Sequence, residues 1–319
     1  MINEIKKVIS ENKSFIVTTH NSPDGDAIGS LLAFGEFLKA LGKKVELFCV
    51  DQVPYFLNFL SNTSSIWHKL DINMEFDVIV SLDCAEYHRI GVDIKHSVKH
   101  RIFLNIDHHA SNNNFGDVNL IDTAASCVGE IVLDIIDSFK IEPTKTMAEA
   151  LYVSVLTDTG SFKYGSTSVK AFKMASRLVE YGAEPWTISS NLYENSPLPK
   201  LTLLREVLGT LFVDESGLFA SIEITKDSLA RNNANKDMTD GFVNYPRSIK
   251  GVDIAIVFRE LDNKVKLSVR STGVYNVSDF CSKYGGGGHE HAAGCYIEGS
   301  LQYVKQKVFS DLNAWLKKK

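Results

Sequence analysis

Long apolar runs are missing from this 319-residue chain. None approaches the roughly 18 consecutive apolar residues that a membrane-spanning helix needs, which sets a membrane-bound reading aside. Cysteine is sparse. The five present (Cys49, Cys84, Cys127, Cys281 and Cys295) are scattered, odd in number and without a C-x-x-C pair. That argues against a disulfide framework or a thiolate zinc site and fits a reducing, cytoplasmic setting. A cationic excess is also lacking: 34 Lys and Arg stand against 39 Asp and Glu, a formal charge of -5. There is therefore no basic footprint for a long nucleic acid, and a polyanionic substrate has to be small, or held by bound metal and a few local cations. Internal repeats and low-complexity segments are absent. At the amino terminus Ile2, Ile5, Val8 and Ile9 fall at helical spacing with no long apolar core behind them, which reads as an amphipathic helix and not a signal peptide.

What is present is the composition of a soluble globular protein, with 44% hydrophobic and 23% charged residues, so disorder is not indicated. The length exceeds what one core usually supports, and two domains are expected. Ser14–His20, Lys44–Val50, Asp77–Asp83 and Arg101–His109 read as strands. Between and after them, helices are expected at Ala27–Leu41, ended by Gly42, at Pro54–Leu60, and at about Ala125–Phe139 and Met147–Leu156. Helical spacing continues over Ser168–Gly182 and Pro185–Tyr193. This alternation implies an α/β fold, a parallel sheet with helices on both faces, over residues 1–194. Asn195-Ser-Pro-Leu-Pro199 breaks regular structure and opens a linker over 195–211, with Leu201–Leu211 a linking helix. Residues 212–319 read as a smaller α/β domain with a mixed sheet, its strands at Leu218–Ile224, Val252–Arg259 and Lys264–Arg270 and a hairpin across Asp262-Asn263.

Chemistry gathers where the first domain's elements end. In an open α/β sheet the crevice at the carboxyl edge binds ligands. Four separate places there deliver hard or borderline metal ligands: His20 with Asp24 and Asp26, then Asp83, then Asp107-His108-His109, then Asp158. Imidazoles and carboxylates without thiolates suit Mn, Fe, Co or Zn, and a carboxylate-rich set leans toward Mn or Mg. So many ligands are economical for two ions sharing a carboxylate, an arrangement suited to in-line attack on phosphorus. Any one of these residues could equally cap a turn or helix. Asp26, directly before the Ala27 helix, is the strongest candidate for a pure cap. In the second domain, Gly285–Gly288 before His289 let backbone N–H groups approach a phosphate, a helix beginning near His289 would add its positive end, and Arg270 can clamp phosphate bidentately.

These stretches resemble the DHH phosphoesterase family: His20-Asn-Ser-Pro-Asp24-Gly-Asp26-Ala-Ile-Gly29-Ser30, Ser81-Leu-Asp83, Ile106-Asp107-His108-His109-Ala-Ser-Asn112 and Leu156-Thr-Asp158-Thr-Gly160, in that order. Ser268-Val-Arg270-Ser271 and Gly285–Gly294 resemble its DHH-associated domain. The resemblance implies two divalent ions, manganese foremost, with His20, Asp24 and Asp83 on one and Asp26, Asp83, His108 and Asp158 on the other. It further implies that Asp107 orients an imidazole, that His109 lies beside the scissile phosphate, and that Arg270, Ser271, Gly286, Gly287, Gly288 and His289 hold substrate. One departure is Ser22, where the family more often has asparagine.

The expected function is a cytoplasmic two-metal phosphoesterase. It would hydrolyse short RNA or DNA oligonucleotides to nucleoside 5'-monophosphates, and 3'-phosphoadenosine 5'-phosphate to AMP, with the second domain gripping the far end of the substrate. A linear or cyclic dinucleotide phosphodiesterase, an inorganic pyrophosphatase or polyphosphatase, a processive exonuclease and a non-enzymatic nucleotide sensor remain as rivals. No stable protein partner is evident, and a homodimer is left open.

Overall fold

The computed structural model describes residues 2–71 and 74–317. The chain divides into two compact units, residues 1–195 and 196–319. The first contains α1 (Ile2–Glu11), β1 (Ser14–Thr18), α2 (Gly25–Ala40), β2 (Lys44–Phe48), β3 (Ile66–Trp67), β4 (Val78–Leu82), α3 (Ile94–Ser97), β5 (Ile102–Asp107), β6 (Val118–Ile121), α4 (Val128–Ser138), α5 (Lys145–Asp158), α6 (Val169–Glu180) and α7 (Pro185–Tyr193). Its strands run β3-β2-β1-β4-β5-β6, every neighbouring pair parallel. The order reverses between β1 and β4, which makes the carboxyl ends of these two strands the switch point where such sheets bind ligands.

Both sheet faces are covered, which is why the central strands read as continuous apolar runs. Phe15 and Val17, Val78 and Val80, Leu104 and Ile106 face the larger core. Ile16, Ile79 and Phe103 face a smaller one closed by Ile90, Ile94 and Val98. The helix expected at Ala27 starts two residues earlier, because the Asp24 carboxylate accepts the Ala27 N–H at 3.0 Å and sets the cap there. Pro54–Leu60, expected to be a short helix, holds a single 3₁₀ turn at Tyr55–Leu57. Helix α5 lies against α2 and α4 at unusually short range. A Cβ on Gly29 would sit 2.3 Å from the Ala150 carbonyl oxygen, and one on Gly129 would sit 2.1 Å from Ser154 Oγ, so only glycine permits these approaches.

The second unit contains α8 (Leu198–Leu208), β7 (Phe212–Val213), β8 (Phe219–Ile224), α9 (Lys226–Arg231), α10 (Asn244–Arg247), β9 (Ile254–Glu260), β10 (Lys264–Ser271), α11 (Val277–Ser282), β11 (Gly287–His289), β12 (Ala292–Glu298) and α12 (Leu301–Leu316). Its sheet runs β11-β12-β10-β9-β8-β7 and is mixed: β8 and β9 are parallel, the other pairs antiparallel. One face packs against α11 and α12 through Val304, Val308, Leu312 and Trp315. The other is covered over β8 and β9 by Leu203 and Val207 of α8 with Phe242. The stretch read as a linking helix therefore builds part of this core. Pro199 does not break α8, since it sits in the first turn, where its missing N–H has no intrahelical partner to lose. No helix among the described residues is long and apolar enough to cross a membrane.

Candidate metal centre

The strand ends and two helices of the first unit bring the acids and imidazoles together. Asp83 follows β4 directly and adopts φ +56°, a left-handed conformation that aspartate tolerates better than most residues. Its carboxylate is 3% exposed. It lies 3.5 Å from His20 Nε2, 3.7 Å from His108 Nε2 and 3.6 Å from His109 Nδ1. Two sets of ligand atoms, His20 with Asp24 and Asp83, and Asp26 with Asp83 and His108, each fall within 4.8 Å of one another. Asp158, at the end of α5, is 3.6 Å from His108 Nε2, and Asp26 is 3.9 Å from the same nitrogen. All six residues expected to hold metal thus stand in one cluster, with Asp83 common to both sets.

The imidazoles are held in a defined tautomer. His20 Nδ1 donates to the Asn21 carbonyl at 2.8 Å and His108 Nδ1 to the Ala125 carbonyl at 3.1 Å, so both direct Nε2 toward the carboxylates. Metal-binding histidines are usually fixed this way. His109 differs, its Nδ1 donating to Asp107 Oδ1 at 2.8 Å. Asp107, fully buried, also accepts from Asn112 Nδ2 at 2.6 Å, and that amide donates in turn to the Cys84 carbonyl at 3.1 Å. Asn112 closes the arrangement by accepting from Asn105 Nδ2 and the Asn114 N–H through its oxygen.

Asp26 corrects one expectation. It does not cap its own helix; it lies inside the first turn of α2 and receives the Val128 and Gly129 N–H groups of α4 at 2.7 and 3.2 Å. The Ser30 and Ser154 hydroxyls donate to it at 2.9 and 2.5 Å. Ser154, Ser30 and Asn112 act as supports that the sequence patterning does not single out. A signal existed: Ser30 follows Asp26 by four residues and Ser154 precedes Asp158 by four, the spacing that puts both on one helix face.

Electrostatics mark the cluster as a place for cations. Burial raises the Asp26 carboxyl to about 7, with the Asp83 charge adding to it and His108 opposing. Burial, Asp26 and Asp83 hold Asp158 well above the usual carboxylate range. For Asp83 burial also pushes upward, but the bond to His20 and the charges of His109, His20 and His108 outweigh it and keep the carboxyl far below. Burial lowers the three imidazoles, and their acidic neighbours overcome it, raising His20, His108 and His109. Asp83 Oδ1 is buried and accepts no hydrogen bond from the described residues, although a buried carboxylate oxygen normally has a partner. A donor set of carboxylates and imidazoles around such an oxygen fits a divalent cation.

In the second unit the structure brings Arg270 and His289 to one sheet face. His289 pairs with Ala292, and Ala292 with Arg270. One expectation fails here. His289 ends strand β11 and no helix begins beside it. Ser271 alternates to the opposite face, 4% exposed, its hydroxyl donating to the Tyr275 carbonyl at 2.7 Å and placed to accept from His291 Nδ1 at 2.9 Å. The glycine run has a packing reason as well, since a Cβ on Gly286 would lie 2.2 Å from the Gly294 carbonyl oxygen and one on Gly288 2.4 Å from that of Ala292.

Residues 14–155 match the DHH family, N-terminal domain, and residues 215–318 the DHHA1 domain. The chain is similar to the bifunctional oligoribonuclease and PAP phosphatase NrnA of Thermus thermophilus, 32% identical over 284 residues that cover 89% of this chain and 84% of that relative. Its fold is similar to that of an exopolyphosphatase-related protein from Bacteroides fragilis, TM-score 0.88 and 27% identity, over 99% of this chain and 97% of that one. RecJ of Thermus thermophilus, solved with Mn2+, shares the fold at TM-score 0.56 and 11% identity, over 100% of this chain and 54% of its own. With the aspartate and histidine clusters gathered at the strand switch, a DHHA1 match later in the chain and such a relative along most of its length, the chain belongs to the DHH family of phosphoesterases.

Proposed function

We propose that this protein hydrolyses phosphate esters of short nucleotides with two divalent ions, most simply manganese. Its substrates would be short RNA or DNA oligonucleotides, giving nucleoside 5'-monophosphates, and 3'-phosphoadenosine 5'-phosphate, giving AMP. The observation that carries this reading is Asp83, a buried carboxylate with one unbonded oxygen, common to two groups of acids and imidazoles. His20, Asp24 and Asp83 would hold one ion, and Asp26, Asp83, His108 and Asp158 the other. Cations bound there would lower the pKa of water and neutralise charge on phosphoryl oxygens. The similarity to an oligoribonuclease and PAP phosphatase supports the substrate class, and Mn2+ in RecJ supports the choice of ion.

The chain's own residues supply the rest. Asp107, pinned by Asn112, receives Nδ1–H of His109 and so turns Nε2 outward. Neighbouring acids raise His109 against the effect of burial, which favours the protonated form that could give a proton to a leaving oxygen. Within the second unit, Arg270 and His289 would bind a phosphate. Five buried thiols suit a cytoplasmic setting. Hydrolysis of a dinucleotide and of 3'-phosphoadenosine 5'-phosphate with Mn, before and after chelation, is the test. Activity that survives chelation, or its absence on both substrates, removes the reading. The exopolyphosphatase-related neighbour at 27% identity favours polyphosphate hydrolysis as the second reading, which faster turnover of inorganic polyphosphate than of any nucleotide would establish.

A further inference from the structure

One face of the second unit's sheet is left open beyond the α8 side, and its residues follow from strand register. Alternate residues of β10 share that face, so Lys264, Lys266, Ser268 and Arg270 form a row. Directly opposite on β12 stand Glu298, Tyr296, Gly294 and Ala292, and opposite on β9 stand Arg259, Val257 and Ala255. His289 and Gly287 of β11 continue the Ala292 and Gly294 rows. At one end lie Arg270 and His289. Four residues along β10, about 13 Å at about 3.3 Å per residue, a second row joins Arg259, Lys266 and Tyr296. Between the rows the floor is Ser268, Gly294 and Gly287, too small to obstruct a chain lying across it.

The second row has the makeup of a nucleotide subsite. Tyr296 is 51% exposed. Lys264 Nζ lies 4.8 Å and Lys266 Nζ 6.0 Å from its ring centre, a cationic and aromatic pairing on which nucleobases stack while phosphates are neutralised. Among the described residues Arg259 is short of acceptors: its buried Nε has no partner, and one terminal nitrogen reaches the Lys236 carbonyl at 3.4 Å and the Thr239 hydroxyl at 3.5 Å. Burial accordingly lowers this guanidinium, with Tyr296 and Asp237 partly offsetting it. An anion would supply what it lacks. Acids do reach the area, Glu298 across from Lys264 and Asp237 near Arg259, but the face keeps four cations in a chain that is acidic as a whole.

We propose that this face is a track for single-stranded oligonucleotide, running from the Arg270 and His289 grip to a distal subsite in which a base stacks on Tyr296 and phosphates meet Lys266 and Arg259. The track rests on the nucleotide reading of the site and makes the protein favour chains of several nucleotides over the shortest ones. The test measures binding of 5'-labelled pentaribonucleotide and diribonucleotide by fluorescence anisotropy, on the full chain with metal chelated, and their hydrolysis with Mn. The expectation is that Tyr296→Ala and Lys266→Gln each weaken pentamer binding about tenfold and leave dinucleotide binding and hydrolysis unchanged, while Tyr296→Phe, which keeps the stacking ring, behaves as wild type. Equal losses at both lengths, no loss at either, or a wild-type protein that binds both lengths equally overturns the track. Length-dependent binding without hydrolysis leaves the track standing and sinks the catalytic reading instead.

Discussion

Consider the protein stripped of metal and carried from pH 4 to pH 8. Lifting the Asp26 carboxyl from 3.8 to about 7 corresponds, at about 1.4 kcal/mol per pKa unit, to about 4 kcal/mol as the most Asp26 alone can contribute. The folded value lies above the unfolded one. The contribution is therefore present in full below about pH 4 and lost as pH rises through about 7. Asp158 acts in the same direction. So do His20, His108 and His109, whose contributions are present below about 6.5 and lost above their raised folded values. Asp83 opposes them only in strong acid, since its depressed value gives stability present above about 4. The metal-free first unit should thus weaken steadily from pH 4 to 8. Divalent metal should restore it and release protons on binding, because the ligands must shed them. Asp26→Asn should flatten the profile, at a cost of about 1–3 kcal/mol for the amide that meets the Val128 N–H. Urea unfolding of chelated protein, read by hydrogen exchange in β1, β4 and β5, reports on the first unit alone. Metal-free stability that rises from pH 5 to 8, or metal binding without proton release, refutes the reasoning.

Three further outcomes follow from particular contacts. Gly29→Ala forces a methyl to 2.3 Å from the Ala150 carbonyl, so α2 and α5 must part; a loss of about 1–3 kcal/mol is expected, with weaker metal uptake in a titration because Asp26 and Asp158 ride on those two helices. Asn112→Ala removes the 2.6 Å bond that fixes Asp107 and should lower turnover about 10- to 100-fold, with the number of bound metal ions, read by elemental analysis, unchanged. Ser22 occupies φ +54°, a conformation asparagine adopts more readily, and Ser22→Asn should stabilise the metal-free protein by about 0.5–1 kcal/mol in thermal unfolding.

Most of the first unit's sheet was legible because its central strands are apolar on both faces and end in acids or imidazoles. β3, with two residues, and β6, interrupted by Asn119, escaped because neither is long or periodic enough to signal itself. Helix starts slipped where capping chemistry was assigned to the wrong aspartate, Asp24 doing what Asp26 was expected to do. In the second unit the glycine run was read for its freedom alone, so strand β11 was missed and a helix expected at His289. Ser271 and Arg270 stand side by side in one motif, and only the strand pleat sets them on opposite faces.

The sequence by itself determined which side chains are available and at which element ends they fall, because apolar patterning and turn chemistry are local properties of the chain. Only the tertiary structure decided that Asp26 caps a helix about a hundred residues away, that Asn112 pins Asp107, and that Lys266, Tyr296 and Arg259 form one row. Strand order and register set those distances, and they arise from packing between segments whose separation along the chain carries no trace of their meeting.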